Sequence, residues 1–114
     1  MLSIDSFREY GADVEEALTR CYGNEEFYLK LVGMMLNEAS FANLDKALSE
    51  NDLNAAFEAA HALKGVCANL ALTPLLEPVK EITELLRART ETDYSALNDR
   101  IKEEKEKLVK LIGE

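Results

Sequence analysis

Residues 52–76 read DLNAAFEAAHALKGVCANLALTPLL. Asp52 is a residue type that caps helices, because its carboxylate accepts a backbone N–H that the first turn leaves unpaired. Behind it Leu53, Ala56, Ala60, Leu63, Cys67 and Leu70 recur at gaps of three and four. That is the spacing of one buried helix face. Thr73-Pro74 follows as a cap with proline at the first helical position, a start signal for the next helix. A helix that ends and another that begins within a few residues set the rhythm of the whole chain.

Working outward, the next seam is Leu75, Val79, Ile82 and Leu86, with Pro78 removing one backbone bond so that this helix should begin irregularly or bend. Thr92 or Asp93 caps a last helix with Tyr94, Leu97, Ile101, Leu108 and Leu111 as its seam. Glu103→Lys107 and Glu106→Lys110 are favourable i,i+4 pairs on its outer face. Upstream, Asn24 caps one long helix running to about Ser49, with Phe27, Leu31, Met34, Phe41 and Leu48 as its seam. Asn51-Asp52 breaks it. Met34-Met35 is read as core. Two short helices come first, Ile4–Tyr10 before Gly11, and Val14–Tyr22 with Asp13 as cap, Glu16 three residues on and Gly23 as the stop. No stretch alternates apolar and polar residues over a strand length, and Ala, Leu, Glu and Lys dominate. With short connections, neighbouring helices should run antiparallel. The expectation is an all-α, up-down four-helix bundle over a single domain, residues 1–114, with one or two short N-terminal helices as a lid.

The chain has 114 residues, 47% of them hydrophobic. Size scaling buries about two-thirds of the unfolded surface, enough for one core without metal or disulfide staples. The net charge is −9, from 22 acids and 13 bases. So acidic a domain is a poor match to phosphate backbones or anionic lipid, which argues against nucleic-acid and membrane partners. One histidine excludes any monomeric mechanism or metal site that needs two. Cys21 and Cys67 stand 46 positions apart outside any C-x-x-C pair, and read as small buried thiols of a reducing compartment. The N-terminus lacks the basic and apolar regions of a signal peptide, and no apolar run approaches the roughly 20 residues of a membrane span. A cytoplasmic monomer is expected; whether the chain stands alone or is a piece of a larger protein is left open by the sequence, the initial Met leaning to the former.

The acidity is unevenly spread. Residues 1–58 carry −8 and residues 77–114 carry −2, while Lys64 is the one charge within residues 59–76. At 100° per residue the seam of this segment faces one way. His61, Lys64, Gly65 and Ala68 cluster about 120° away, on the side of the bundle. Lys64 lies at i+3 from the imidazole and Gly65 at i+4. Glycine inside a helix costs about 1 kcal/mol relative to alanine, and here no helix end accounts for it. What it provides is access: with no side chain at position 65 and a methyl at 68, another protein can approach the ring. A neighbouring ammonium disfavours imidazolium, keeping the ring nucleophilic, and can hold phosphoryl oxygens on it. Singly, a surface histidine, a solvated lysine and a tolerated glycine are ordinary. Together, in a stretch otherwise free of charge, they suit a phosphoryl-accepting histidine, where catalysis is mostly positioning and charge neutralisation.

H-A-L-K-G at His61–Gly65 resembles the H-x-L-K-G signature of histidine-containing phosphotransfer (HPt) domains. Gly11, the run Asp13-Val14-Glu15-Glu16-Ala17-Leu18, Gly23 and Tyr28 are similar to the N-terminal half of such domains, and Ala68-Asn69-Leu70, Leu72 and Leu75 follow the pattern after the motif. The resemblance implies that His61 is the phosphoacceptor, Lys64 neutralises the phosphoryl group, Gly65 clears space for the partner's loops and Leu63 is a core anchor. It implies as partners response-regulator receiver domains and a sensor or hybrid histidine kinase. It also implies that the receiver supplies Mg²⁺ and the catalytic acids, leaving this chain without a cofactor, a nucleotide site or kinase activity. Phe57, Ala68 and Asn69 would line the docking face, although Phe57, at the edge of the seam, is equally readable as core. Three positions depart from the family. Ala71 replaces a usual glycine, Thr83 stands where some members place a glutamine that bonds the imidazole, and Pro78 is uncommon in this helix.

Other readings compete. A non-catalytic adaptor binding partners through the face around His61 needs no chemistry. Glu58-x-x-His61 has the form of a di-iron ligand pair but lacks the second histidine such a site requires. Asp5-Ser6-Phe7 is faintly similar to the carrier serine of acyl carrier proteins, but it sits near the chain start instead of opening a long helix.

Overall fold

A computed structural model describes residues 4–113, which form seven helices and no strand. These are α1 (Ile4–Tyr10), α2 (Val14–Arg20), α3 (Glu25–Leu36), α4 (Ser40–Ser49), α5 (Leu53–Asn69), α6 (Thr73–Arg87) and α7 (Ser95–Gly113). The capping residues act as their chemistry requires. Asp13 accepts from the Glu16 N–H at 3.3 Å, Asn24 from Phe27 at 3.0 Å and Asp52 from Ala55 at 3.1 Å. Asp93 accepts the Ser95 N–H at 2.9 Å at the head of α7. In packing order α4 lies on α5, α5 on α6, α6 on α7, and α7 on α3, with α1 and α2 continuing from α3. The core between them holds Phe7, Tyr28, Leu44, Leu63, Leu75, Ile82, Leu86, Ile101 and Leu108, all buried.

The single long helix expected over residues 24–49 is two helices. The buried face of α3 is Tyr28, Val32 and Met35, and that of α4 is Phe41, Leu44 and Ala47. Met35 and Leu44 are nine residues apart, about two and a half helical turns, so an unbroken helix would point them in opposite directions. The chain therefore breaks. The Asn37 N–H donates to the Met34 and Met35 carbonyls, and its side-chain amide to the Gly33 carbonyl at 3.3 Å, which ends α3. The expected seam of α3 is also out of phase by one residue: Phe27 is 45% and Met34 60% exposed, with Tyr28 and Met35 buried instead.

Smaller differences have similar causes. α2 stops at Arg20, before Tyr22. Thr73 is the first residue of α6 and makes no cap bond, since Leu72 precedes it as the cap. α6 runs unbroken through the buried Pro78. The N–H that proline lacks would have bonded only Pro74, in the first turn, where one missing bond is tolerated. On α7, Lys107 reaches Glu104 at 3.0 Å, one turn back, instead of Glu103.

Four helices end in the same way. Tyr22, Asn51, Ala71 and Arg89 all have φ between 53° and 56°, in the left-handed region. In each case the next residue's N–H returns to a carbonyl five residues back: Gly23 to Leu18, Asp52 to Ala47, Leu72 to Cys67 and Thr90 to Leu85. This closure pairs carbonyls that a helix end otherwise leaves free, and glycine is the residue that adopts it most cheaply.

Candidate functional site

His61 lies in the middle of α5 and is exposed, while Ala60 and Leu63 beside it are fully buried. One turn earlier, the half-buried Phe57 stacks on it, ring centroids 5.7 Å apart and planes 18° from parallel. The guanidinium carbons of Arg87 and Arg89, from the end of α6 and just beyond it, lie 5.2 and 5.3 Å from the Phe57 centroid. One turn after His61, the Lys64 ammonium is 3.8 Å from the Glu84 carboxylate on α6. Glu84 also binds Arg87 at 3.0 Å. One carboxylate thus holds two cations at the flank of the imidazole.

A β-carbon at Gly65 would meet no other part of the molecule within 4 Å. Nothing inside the fold requires glycine there, and the surface beneath the imidazole stands open. Ala68 and Asn69 are exposed. Their main chain is not free: Arg20 donates to the Ala68 carbonyl at 3.1 Å and to the Asn69 carbonyl at 3.0 Å. The Tyr28 hydroxyl donates to the Leu70 carbonyl at 2.9 Å, and the Asp13 N–H to the Ala71 carbonyl at 2.9 Å. Burial pushes the Tyr28 phenol up to about 12, so it remains a donor. Four consecutive carbonyls at the corner after α5 are held by the N-terminal elements.

Thr83 is fully buried and donates to the Val79 carbonyl of its own helix at 2.6 Å. Ala71, where the resembling family has glycine, sits at φ 53° without disturbing the turn into α6. Cys21 and Cys67 are buried free thiols, and burial pushes the Cys67 thiol up to about 12. Asp5-Ser6-Phe7 lies inside the seven-residue α1, with Phe7 fully buried.

The structure brings Phe57, His61, Lys64 and Gly65 onto one side of α5. It adds Glu84, Arg87 and Arg89, which the sequence reading did not select. Glu84 and Arg87 are visible in sequence as an i,i+3 pair, but no periodicity says which turn of another helix they face. A shallow apolar groove beside the strip is lined by Leu31, Met34, Val66, Asn69 and Leu70. Met34 forms its lip instead of filling the core.

A family model described as "Hpt domain" matches residues 31–110. The chain belongs to the Hpt domain family. The match takes in the last turns of α3, all of α4, α5 and α6, and α7 as far as Lys110. No curated protein and no solved structure matches the chain. Hpt domains perform histidine phosphotransfer in two-component phosphorelays, as phosphocarriers working with receiver domains and kinases. Among the described residues no helix of this Hpt domain is long and apolar enough to cross a membrane.

Proposed function

We propose that this chain is a phosphorelay carrier that accepts a phosphoryl group on His61 from the phosphoaspartate of a receiver domain, or from a kinase, and passes it to a response-regulator receiver. One observation carries the reading: the family works through a histidine, the sequence contains one, and that residue is exposed on α5. In the acceptor step the lone pair of the unprotonated ring nitrogen attacks phosphorus. The bond from phosphorus to the aspartyl oxygen breaks, and the donor keeps that electron pair as a carboxylate. The other ring nitrogen retains its proton. Transfer onward is the same step reversed on a second receiver. Lys64 neutralises the added charge, Gly65 leaves room for the partner's loops, and Phe57, Ala68 and Asn69 border the contact. The receiver brings the Mg²⁺, so this chain needs no cofactor. It acts as a monomer, with α4–α7 as an antiparallel up-down bundle, a reading supported by their sequential packing and short connections.

Mixing the protein with phosphorylated receiver domains tests this. The expected result is phosphate on the protein that is labile to acid and stable to alkali, and absent from a His61→Gln variant. No label on the wild type, or label surviving in the variant, would sink the assignment.

A further inference from the structure

Phe57 and His61 stand one turn apart on α5 with their rings stacked, and two guanidiniums sit on the Phe57 ring. Both guanidiniums are themselves tied. Arg87 binds Glu84 at 3.0 Å, and the Arg89 Nε donates to Asn54 Oδ1 at 2.9 Å, back on the first turn of α5. Arg89 is moreover the residue that closes α6 at φ 53°. A side chain in that conformation is disfavoured, and glycine would make the same closure at lower conformational cost. What arginine contributes there must come from its side chain, which donates to the Leu86 carbonyl at the end of its own helix and also reaches across to Phe57 and Asn54.

We propose that Phe57 is a positioning residue: clamped by Arg87 and Arg89, its ring fixes the orientation of the His61 imidazole so that the attacking nitrogen faces outward. An exposed histidine on a helix otherwise samples several rotamers, and only those that aim the unprotonated nitrogen at the partner are reactive. Stacking against a held ring restricts that choice before the partner arrives. Cation–π contact and aromatic stacking are each modest on a surface, and here they act in series on one ring. The inference rests on the phosphotransfer reading given above.

The test compares Phe57→Leu, Phe57→Tyr and Arg89→Gly with wild type in two measurements. One is phosphoryl acceptance at saturating phosphorylated receiver. The other is the NMR spectrum of the His61 ring in the free protein. Phe57→Leu should slow acceptance about tenfold at saturation, over and above any rise in the half-saturating concentration that its place at the border of the contact brings. It should also shift the imidazole proton signals as the ring current is lost. Phe57→Tyr should restore both. Arg89→Gly exchanges the bonds to Asn54 and the Leu86 carbonyl for a relaxed φ, so it should keep the fold with a melting temperature near that of wild type and still slow acceptance, which separates positioning from folding should Phe57→Leu fold poorly. A wild-type saturating rate in Phe57→Leu or Arg89→Gly, or an effect confined to half-saturation, overturns the proposal. Imidazole signals that stay put in Phe57→Leu overturn it as well, even if the wild type takes no phosphate and the phosphotransfer reading itself falls.

Discussion

Lys64 meets Glu84 at 3.8 Å with both side chains partly in water, an arrangement worth less than about 1 kcal/mol. A phosphoryl group on His61 brings up to two negative charges to the same flank and competes for that ammonium. On the proposed reading, the weakness of the resting pair lets the lysine change partners. Lys64→Ala is expected to slow acceptance about tenfold, the size of one charged hydrogen bond, with an unchanged melting temperature. Glu84→Gln removes the competitor and should speed acceptance about twofold, since the resting pair it removes is a weak surface one. Rates of label transfer from a phosphorylated receiver check both. Equal rates in all three proteins would remove Lys64 from the mechanism. At this scale the sequence was informative where helix geometry alone decides. His61, Lys64 and Gly65 share a side because they are three and four residues apart. Glu84, Arg87 and Arg89 were illegible because their role depends on the register between α5 and α6, which no local rule sets.

Helix starts and helix ends differ in how openly they are written. Asp13, Asn24 and Asp52 announce starts through side-chain oxygens, and each makes the bond its chemistry allows. The ends at Ala71 and Arg89 carry no such mark, because the left-handed closure normally signalled by glycine is made there by other residues. The break between α3 and α4 was hidden for a related reason: a seam drawn through Phe27, Leu31 and Met34 continues into Phe41 and conceals the slip in phase. Ala71 offers a direct measure. It is buried, so glycine forfeits a packed methyl, but it also relieves a strained φ. Ala71→Gly should stabilise the fold by about 1 kcal/mol, read as a higher melting temperature. A lower one would show that the methyl's packing outweighs the backbone.

Across the molecule, α4 and α7 are joined by a small polar cluster. Asp45 pairs with Lys102 at 2.8 Å and accepts from the buried Asn98 at 3.0 Å. The Lys102 ammonium first, and Asn98 second, hold the Asp45 carboxyl below its ordinary value of 3.8. A carboxyl lowered in the folded state adds stability that is complete above the unfolded value and fades as pH falls through the folded one. Asp45 is well exposed, so the share is under about 1 kcal/mol. Asp45→Asn should therefore flatten the fall in melting temperature below about pH 4, its small cost being complete above that point and fading in acid. An acid profile identical to wild type would count against the cluster. The helical class was plain from periodicity, yet the way the N-terminal helices attach was not. Arg20, Tyr28 and Asp13 grip the carbonyls of residues 68–71, and those acceptors look alike in every sequence. The same sameness has an evolutionary consequence. Because the scaffold reads only peptide oxygens at positions 68 and 69, mutation can rewrite the exposed side chains there without unfastening anything. Duplicated copies of such a chain are free to diverge in the surface they present there while inheriting one unchanged frame.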